Sequence, residues 1–221
     1  MLETRYDAVL FDLLTALLDS WTLWNRIAGS EERGREWRAA YLRQTYQAGR
    51  YRPYETLVAE ATLEVGLASE LATYLAERYH ELKPWPEVIE VLDALRREGL
   101  KLGVVTNCSE ALGATAVVCT GVDFDVVVTA ERAGYYKPDP RPYETAIAEL
   151  GTTASRCLFV AGSAYDLFGA SKVGLPIYWH DRIGMQQPPD MPEPLAYHRT
   201  LHPLLDLVIG GVDEAPRRRL T

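Results

Sequence analysis

Four places in this 221-residue chain put polar groups where chemistry is usually done. One apolar run stops at Asp12 and another at Thr106-Asn107, a Lys-Pro-Asp-Pro loop starts with Lys137, and a further run leads through Ala161-Gly162-Ser163 to Asp166. In open α/β sheets ligands bind at the carboxyl ends of the strands, so these residues form a candidate site. A carboxylate there can serve as a nucleophile, and an ammonium beside it keeps it ionised. Taken singly, each residue has a blander reading. Asp12 could be a turn or N-cap residue, Asn107 the cap of the following helix, and Lys137 a solvated loop charge. Their joint placement at successive strand ends argues for a site.

The elements that must position them follow from hydrophobic spacing. Tyr6–Phe11, Leu100–Val105, Asp125–Val128, Cys157–Ala161 and Leu175–Trp179 are short apolar runs of the kind buried on both faces of a parallel sheet. Between them lie helical patterns: Pro86–Glu98, a helix starting near Ser109, Arg141–Leu150 and Tyr165–Val173. This alternation predicts right-handed βαβ units and a Rossmann-like α/β fold with a parallel sheet. From Trp21 to Tyr79 the rhythm is helical throughout, with helices near Glu36–Ala48, Tyr54–Val65 and Glu70–Tyr79. That block reads as an all-helical insert after the first strand, with the core formed by residues 1–16 and 86–221 and the insert by 17–85. His180–Ala196 reads as a surface loop.

Composition narrows the function. The net charge is −8, which argues against a nucleic-acid or anionic-membrane partner and requires any site for a small anion to be locally basic. Three cysteines without a CxxC pair fit a reducing cytoplasm, and the histidines make no zinc spacing with them. The N-terminal apolar stretch, broken by Asp12 and Asp19, does not read as a signal peptide, and no segment is long enough to span a bilayer. GxGxxG, GxxxxGKS and GxSxG loops are absent, removing dinucleotide, P-loop and serine-elbow readings.

The stretches LFDLLTALLDSW, VVTNCS, YYKPDPRPYETA and LFVAGSAYDLFGA, in this order, resemble the haloacid dehalogenase (HAD) superfamily of hydrolases over essentially the whole chain. The resemblance implies a HAD-like core with the helical insert as its cap domain. It implies Asp12 as a covalent nucleophile, Thr106 and Asn107 as binders of the substrate's anionic group, Lys137 as the group steadying the nucleophile, and Asp166 as the completing carboxylate.

Within the superfamily, most phosphatases carry a second Asp two residues after the nucleophile; here Leu14 stands there and cannot transfer a proton. The branch without that Asp includes the 2-haloacid dehalogenases, which need no cofactor. Tyr143 six residues after Lys137, Tyr165 as a pocket aromatic, and Arg38 in the segment GREWRAAYLRQTY resemble that branch, with Arg43 one turn on as the rival to Arg38. The implied mechanism is attack of Asp12 on Cα with inversion, expulsion of halide, and hydrolysis of the ester. Two departures thin the expected shell around Asp12. Thr15 stands at the third position after it, with Ala16 at the fourth, where the branch has Thr; Ala161 and Ser163 stand where Ser and Asn are usual. Thr15 or Ser163 is then left to compensate. Two alternatives remain open: a phosphatase using Mg²⁺ on Asp12 and Asp166, and a degenerate binding protein. The expected partner is a small anionic substrate, and the resemblance leaves a homodimer open.

The remaining residues read blandly. His80, His180, His198 and His202 are surface or loop histidines, and Cys108 is a packing residue. Trp21, Trp24, Trp37 and Trp85 pack the insert, with one of them able to line the pocket. Arg217-Arg218-Arg219 reads as a solvated terminus.

Overall fold

The computed structural model describes residues 5–209. Its centre is a six-stranded parallel sheet in the order β3-β2-β1-β4-β5-β6, formed by β1 (Ala8–Phe11), β2 (Lys101–Thr106), β3 (Val126–Thr129), β4 (Cys157–Ala161), β5 (Ile177–His180) and β6 (Ala196–His198). All four residues of β1 and all five of β4 are buried, which is why their sequences run apolar without alternation. Phe11 lies opposite Val104 on one side and Val160 on the other, so the next residue, Asp12, emerges at the carboxyl edge between two neighbours. The chain leaves β1 towards β2 and β3, then crosses back to place β4 on β1's other side. This is a topological switch point, and a crevice opens there.

The connection from β1 to β2 begins with the four helices of the insert, α1 (Ser20–Ala28), α2 (Glu31–Ala48), α3 (Tyr54–Glu64) and α4 (Glu70–Glu77), and ends with α5 (Val88–Arg97). Then come α6 (Glu110–Thr120), α7 (Ala130–Ala133), α8 (Pro140–Leu150), α9 (Ala164–Val173) and α10 (His202–Ile209). One face of the sheet, with Val9 and Phe11, packs on Val88, Val91, Leu92 and Leu95 of α5 and on Leu204 and Val208 of α10. That cluster runs on into the insert through Trp24, Trp37, Tyr41 and Tyr54. The other face, with Ala8 and Leu10, packs on α8 and α9. The insert is joined at a narrow neck. Leu18 bridges Pro84, Asp19 N donates to Lys83 O at 2.8 Å, and Trp85 N donates to Leu17 O at 3.0 Å.

Several expectations are revised. A separate helix, α1, starts behind the Asp19 cap and ends at Gly29, whose φ of 85° suits glycine; its side-chain pattern merged with that of α2. Helix α2 begins at Glu31, five residues before the expected Glu36, because Ser30 caps it and two glutamates occupy its first turn. His180 is not a surface or loop residue: it ends β5, is fully buried, and its Nδ1 lies 2.9 Å from Ala16 O. His80, His198 and His202 are exposed. β6 and α10 were not anticipated. The Arg217-Arg218-Arg219 expectation lies outside the described residues.

Candidate active site

Asp12 follows β1 and is only 6% exposed. Its backbone N continues the sheet by donating to Val160 O at 2.9 Å, after which residues 12–18 turn beneath the carboxylate. The turn aims three donors at Oδ2: Thr15 Oγ1 at 2.6 Å, Thr15 N at 2.9 Å and Ala16 N at 3.2 Å. Oδ1 accepts from Lys137 Nζ at 2.7 Å. One oxygen is therefore saturated, while the other keeps capacity on the pocket side. Thr15, rather than Ser163, supplies the hydroxyl that the sequence left open. Gly162 permits this turn: a Cβ there would lie 2.2 Å from Ala16 N and 2.2 Å from Thr15 Oγ1.

Lys137 comes from the loop before α8 and is 5% exposed. Its ammonium also lies 2.9 Å from Asp166 Oδ1. Asn107 fixes this loop, accepting from Lys137 N at 2.8 Å and donating to Lys137 O at 3.1 Å. It does not cap α6; Ser109 does. Asp166 sits in the first turn of α9, where Ser163 and Asp166 form a capping box: Ser163 N donates to Asp166 Oδ2 at 3.2 Å.

Electrostatics follow from this packing. Burial raises the cost of ionising Asp12, but the Lys137 charge and hydrogen bond, with the Thr15 donors, outweigh it and hold the carboxyl below its ordinary value. Asp166 is moved upward, chiefly by burial and also by the Asp12 charge, with Lys137 offsetting only part. Lys137 is pushed upward because its two carboxylates outweigh its own burial.

The roof comes from α2. Arg38 is 3% exposed, lies 4.4 Å from the Trp21 ring centroid and 5.5 Å from that of Trp24, and has no acceptor among the described residues for Nε or Nη1. A buried guanidinium with free donors facing a pocket is a receptor for an anion. Arg43 is instead paired with Glu64 at 2.6 Å near the surface, which removes it as the rival. The cavity holds about 50 Å³ and is lined by Asp12, Leu14, Thr15, Asn107, Lys137, Ser163, Tyr165 and Asp166 below, and by Trp21, Arg38, Tyr41, Leu42, Thr45 and Tyr46 above. Tyr46 and Tyr165 meet edge-on at 5.6 Å between centroids, forming a lip.

Two expected substrate binders are elsewhere. Thr106 is buried behind the wall, its hydroxyl directed to Cys108 Sγ at 3.5 Å. Tyr143, fully buried, donates to Asp166 O at 3.2 Å and so braces α9 rather than facing the cavity. Tyr41, Leu42, Thr45 and Tyr46 went unnoticed in the sequence. They follow Arg38 by three, four, seven and eight residues, one helical face, and that spacing could have found them. Cys108 is buried, and burial pushes its thiol up to about 11, which makes it unreactive.

The residues do not fit a magnesium ion. Among the described residues no group of three His, Cys, Asp or Glu side chains gathers to hold a metal, and the Lys137 ammonium already bridges Asp12 and Asp166. Among the described residues, no helix is long and apolar enough to cross a membrane.

The model of the haloacid dehalogenase-like hydrolases matches residues 6–174. An (S)-2-haloacid dehalogenase of Pseudomonas sp. (strain YL) is 32% identical over 82% of this chain and 88% of its own length. A phosphatase of Mycobacterium tuberculosis (strain CDC 1551 / Oshkosh) is 36% identical, over 45% of this chain and 48% of its own. Among solved structures, an L-2-haloacid dehalogenase superposes with a TM-score of 0.82 at 26% identity, covering 93% of this chain and 100% of the other.

Proposed function

The chain belongs to the haloacid dehalogenase-like hydrolases, and from that premise we propose that it hydrolyses the carbon–halogen bond of a small 2-haloacid without a cofactor. The observation that carries this reading is Arg38, a buried cation whose Nε and Nη1 have no acceptor among the described residues, across the cavity from an ionised, oriented Asp12. It supplies the locally basic place that a small carboxylate needs within an acidic protein. Leu14 beside Asp12 offers no proton, which suits a halide leaving group, since halide needs none.

In the first step Asp12 Oδ1 attacks Cα from the side opposite the halogen. The C–O bond forms as the carbon–halogen bond breaks, Cα inverts, and halide leaves with the bonding pair. Arg38 and Lys137 hold the substrate carboxylate and the departing charge, while the donors on Oδ2 fix the attack angle. In the second step water adds to the Asp12 carbonyl carbon, and Asp166 takes its proton. Collapse of the tetrahedral intermediate breaks the bond between the Asp12 carbonyl carbon and the substrate oxygen. The departing oxygen takes the proton back from Asp166 to give the 2-hydroxy acid, and the remaining proton leaves to solvent, so that Asp12 and Asp166 are both ionised again. The upward-shifted carboxyl of Asp166 is a stronger base than an ordinary aspartate. Residues 17–85 act as the cap, bringing Arg38 over the core. Three free cysteines, two of them buried, suit a reducing, cytoplasmic setting.

One paired assay tests the reading. (S)-2-chloropropionate and chloroacetate are incubated without metal, and an aryl phosphate with Mg²⁺. Halide release that disappears in Asp12→Asn is the expected result. Metal-dependent phosphate release, which the similarity to a phosphatase makes worth measuring, would replace it, and silence in both arms would leave a binding protein.

A further inference from the structure

Two peptide groups donate to Asp12 Oδ2, one through Thr15 N and the other through Ala16 N. Each is engaged at its opposite end by a side chain. The carbonyl paired with Thr15 N is that of Leu14, and it accepts from Ser20 Oγ. The carbonyl paired with Ala16 N is that of Thr15, and it accepts from Trp85 Nε1 at 3.0 Å. A donor on a peptide oxygen polarises the amide and strengthens the N–H at its other end. Both amides of the cradle are thus loaded from behind.

The two donors also have a common origin. Ser20, 1% exposed, is the first residue of α1, and Trp85 lies where the chain returns from the insert to the core. They sit at opposite ends of the four-helix excursion and are drawn together by the Leu18–Pro84 bridge. The Arg182 guanidinium covers the Trp85 ring at 4.9 Å from its centroid, fixing the indole plane. We propose that Ser20 and Trp85 are positioning residues that polarise the two amides holding Asp12 Oδ2, so that the seating of the insert at its neck sets the hold on the nucleophile. This rests on Asp12 being the nucleophile, as proposed above.

The charged groups facing Asp12 directly are Lys137 and Asp166, with Arg38 across the cavity, and neither Ser20 nor Trp85 touches any of these in the hydrogen bonds described. Removing either donor therefore leaves every charge in place and weakens only the amides. The test uses Ser20→Ala, Ser20→Thr, Trp85→Phe and the Ser20→Ala/Trp85→Phe pair in the full chain, with two readouts: halide release against (S)-2-chloropropionate, and the carboxyl titration of Asp12 by ¹³C NMR of aspartate-labelled protein. Ser20→Ala and Trp85→Phe are each expected to lower kcat about three- to tenfold with KM within about twofold, in line with cooperative hydrogen bonding. The Asp12 titration should move upward in both, and Ser20→Thr should restore it.

Folded single variants with wild-type kcat and an unmoved Asp12 titration would overturn the proposal, as would variants that lose only thermal stability. If Ser20→Ala does not fold, Trp85→Phe decides the matter alone, because phenylalanine keeps the ring beneath Arg182. A wild-type chain that releases no halide, but whose Asp12 titration still moves in the variants, would sink the dehalogenase reading and leave the positioning role standing.

Discussion

The Lys137 ammonium lies 2.7 Å from Asp12 Oδ1, the two side chains 4% and 8% exposed, although 125 residues separate them in the chain. Removing one member of a buried pair leaves the other charge uncompensated. Lys137→Met strands two carboxylates, and is expected to abolish halide release and cost about 3–5 kcal/mol of stability at neutral pH. The loss should shrink towards pH 4 as the stranded carboxyls protonate. Urea unfolding at the two pH values measures it, and a loss independent of pH would contradict the electrostatic origin.

The same pair sets a pH window. Asp12 is held below its ordinary value of 3.8, so its stabilisation is complete above that and disappears as pH falls through the lower folded value. Lys137 is raised above 10.5, so its contribution is complete below that and disappears as pH rises through the higher folded value. A stability profile with this pair's contribution flat between about pH 5 and 9 is expected from the wild type minus Lys137→Met difference.

Asp166 moves the other way, above 3.8, and under the proposed mechanism this would separate the two chemical steps. The first halide equivalent depends on ionised Asp12 and should persist to lower pH than steady turnover, which needs ionised Asp166. Asp166→Asn is expected to release at most one equivalent of halide and to retain the substrate's carboxyalkyl group on Asp12 as an ester through Cα. Intact-protein mass spectrometry would detect the added mass; full turnover by this variant would remove Asp166 from the second step.

Arg38 and Arg43 lie a little over one turn apart on α2 but in different environments. Arg38→Lys keeps the charge and loses the planar fork over Trp21, so kcat/KM should fall by about 10²-fold, the scale of two lost charge-assisted hydrogen bonds. Arg43→Ala, which removes a surface ion pair with Glu64, should leave it within about twofold. Steady-state halide release on the two proteins makes the comparison.

His180 is buried beside the turn that follows Asp12, and burial lowers its pKa below 6.5. A neutral buried histidine stabilises fully above that value, and the contribution is lost as pH falls through the folded pKa. The wild type should therefore lose stability between pH 7 and pH 5 more steeply than His180→Gln. Parallel slopes would show that another group governs this range.

The helical and apolar patterns made the architecture legible, because a period of 3.6 residues and short unbroken apolar runs both report burial locally. Strand ends at Asp12, Thr106 and Ala161 were readable to within a residue or so, and the βα order implied a crevice at their carboxyl edge. What escaped was short or non-local. Helix α1 merged with its neighbour, and β6 and α10 lacked a long enough pattern to stand out.

Residue types and order alone determined two aspartates, a lysine and the Thr106-Asn107 pair at strand ends as candidates, and the arginine on the inserted helices came from the family resemblance. Only the tertiary structure decided what each one faces. Thr106 and Tyr143 turned away from the cavity, Asn107 became the clasp of the Lys137 loop, and Thr15 took over the contact left open by Ala16. The reason is physical: which residues lie at a strand end is a property of the local chain, whereas the direction of a side chain there depends on packing against distant segments, 125 residues away for Asp12 and Lys137.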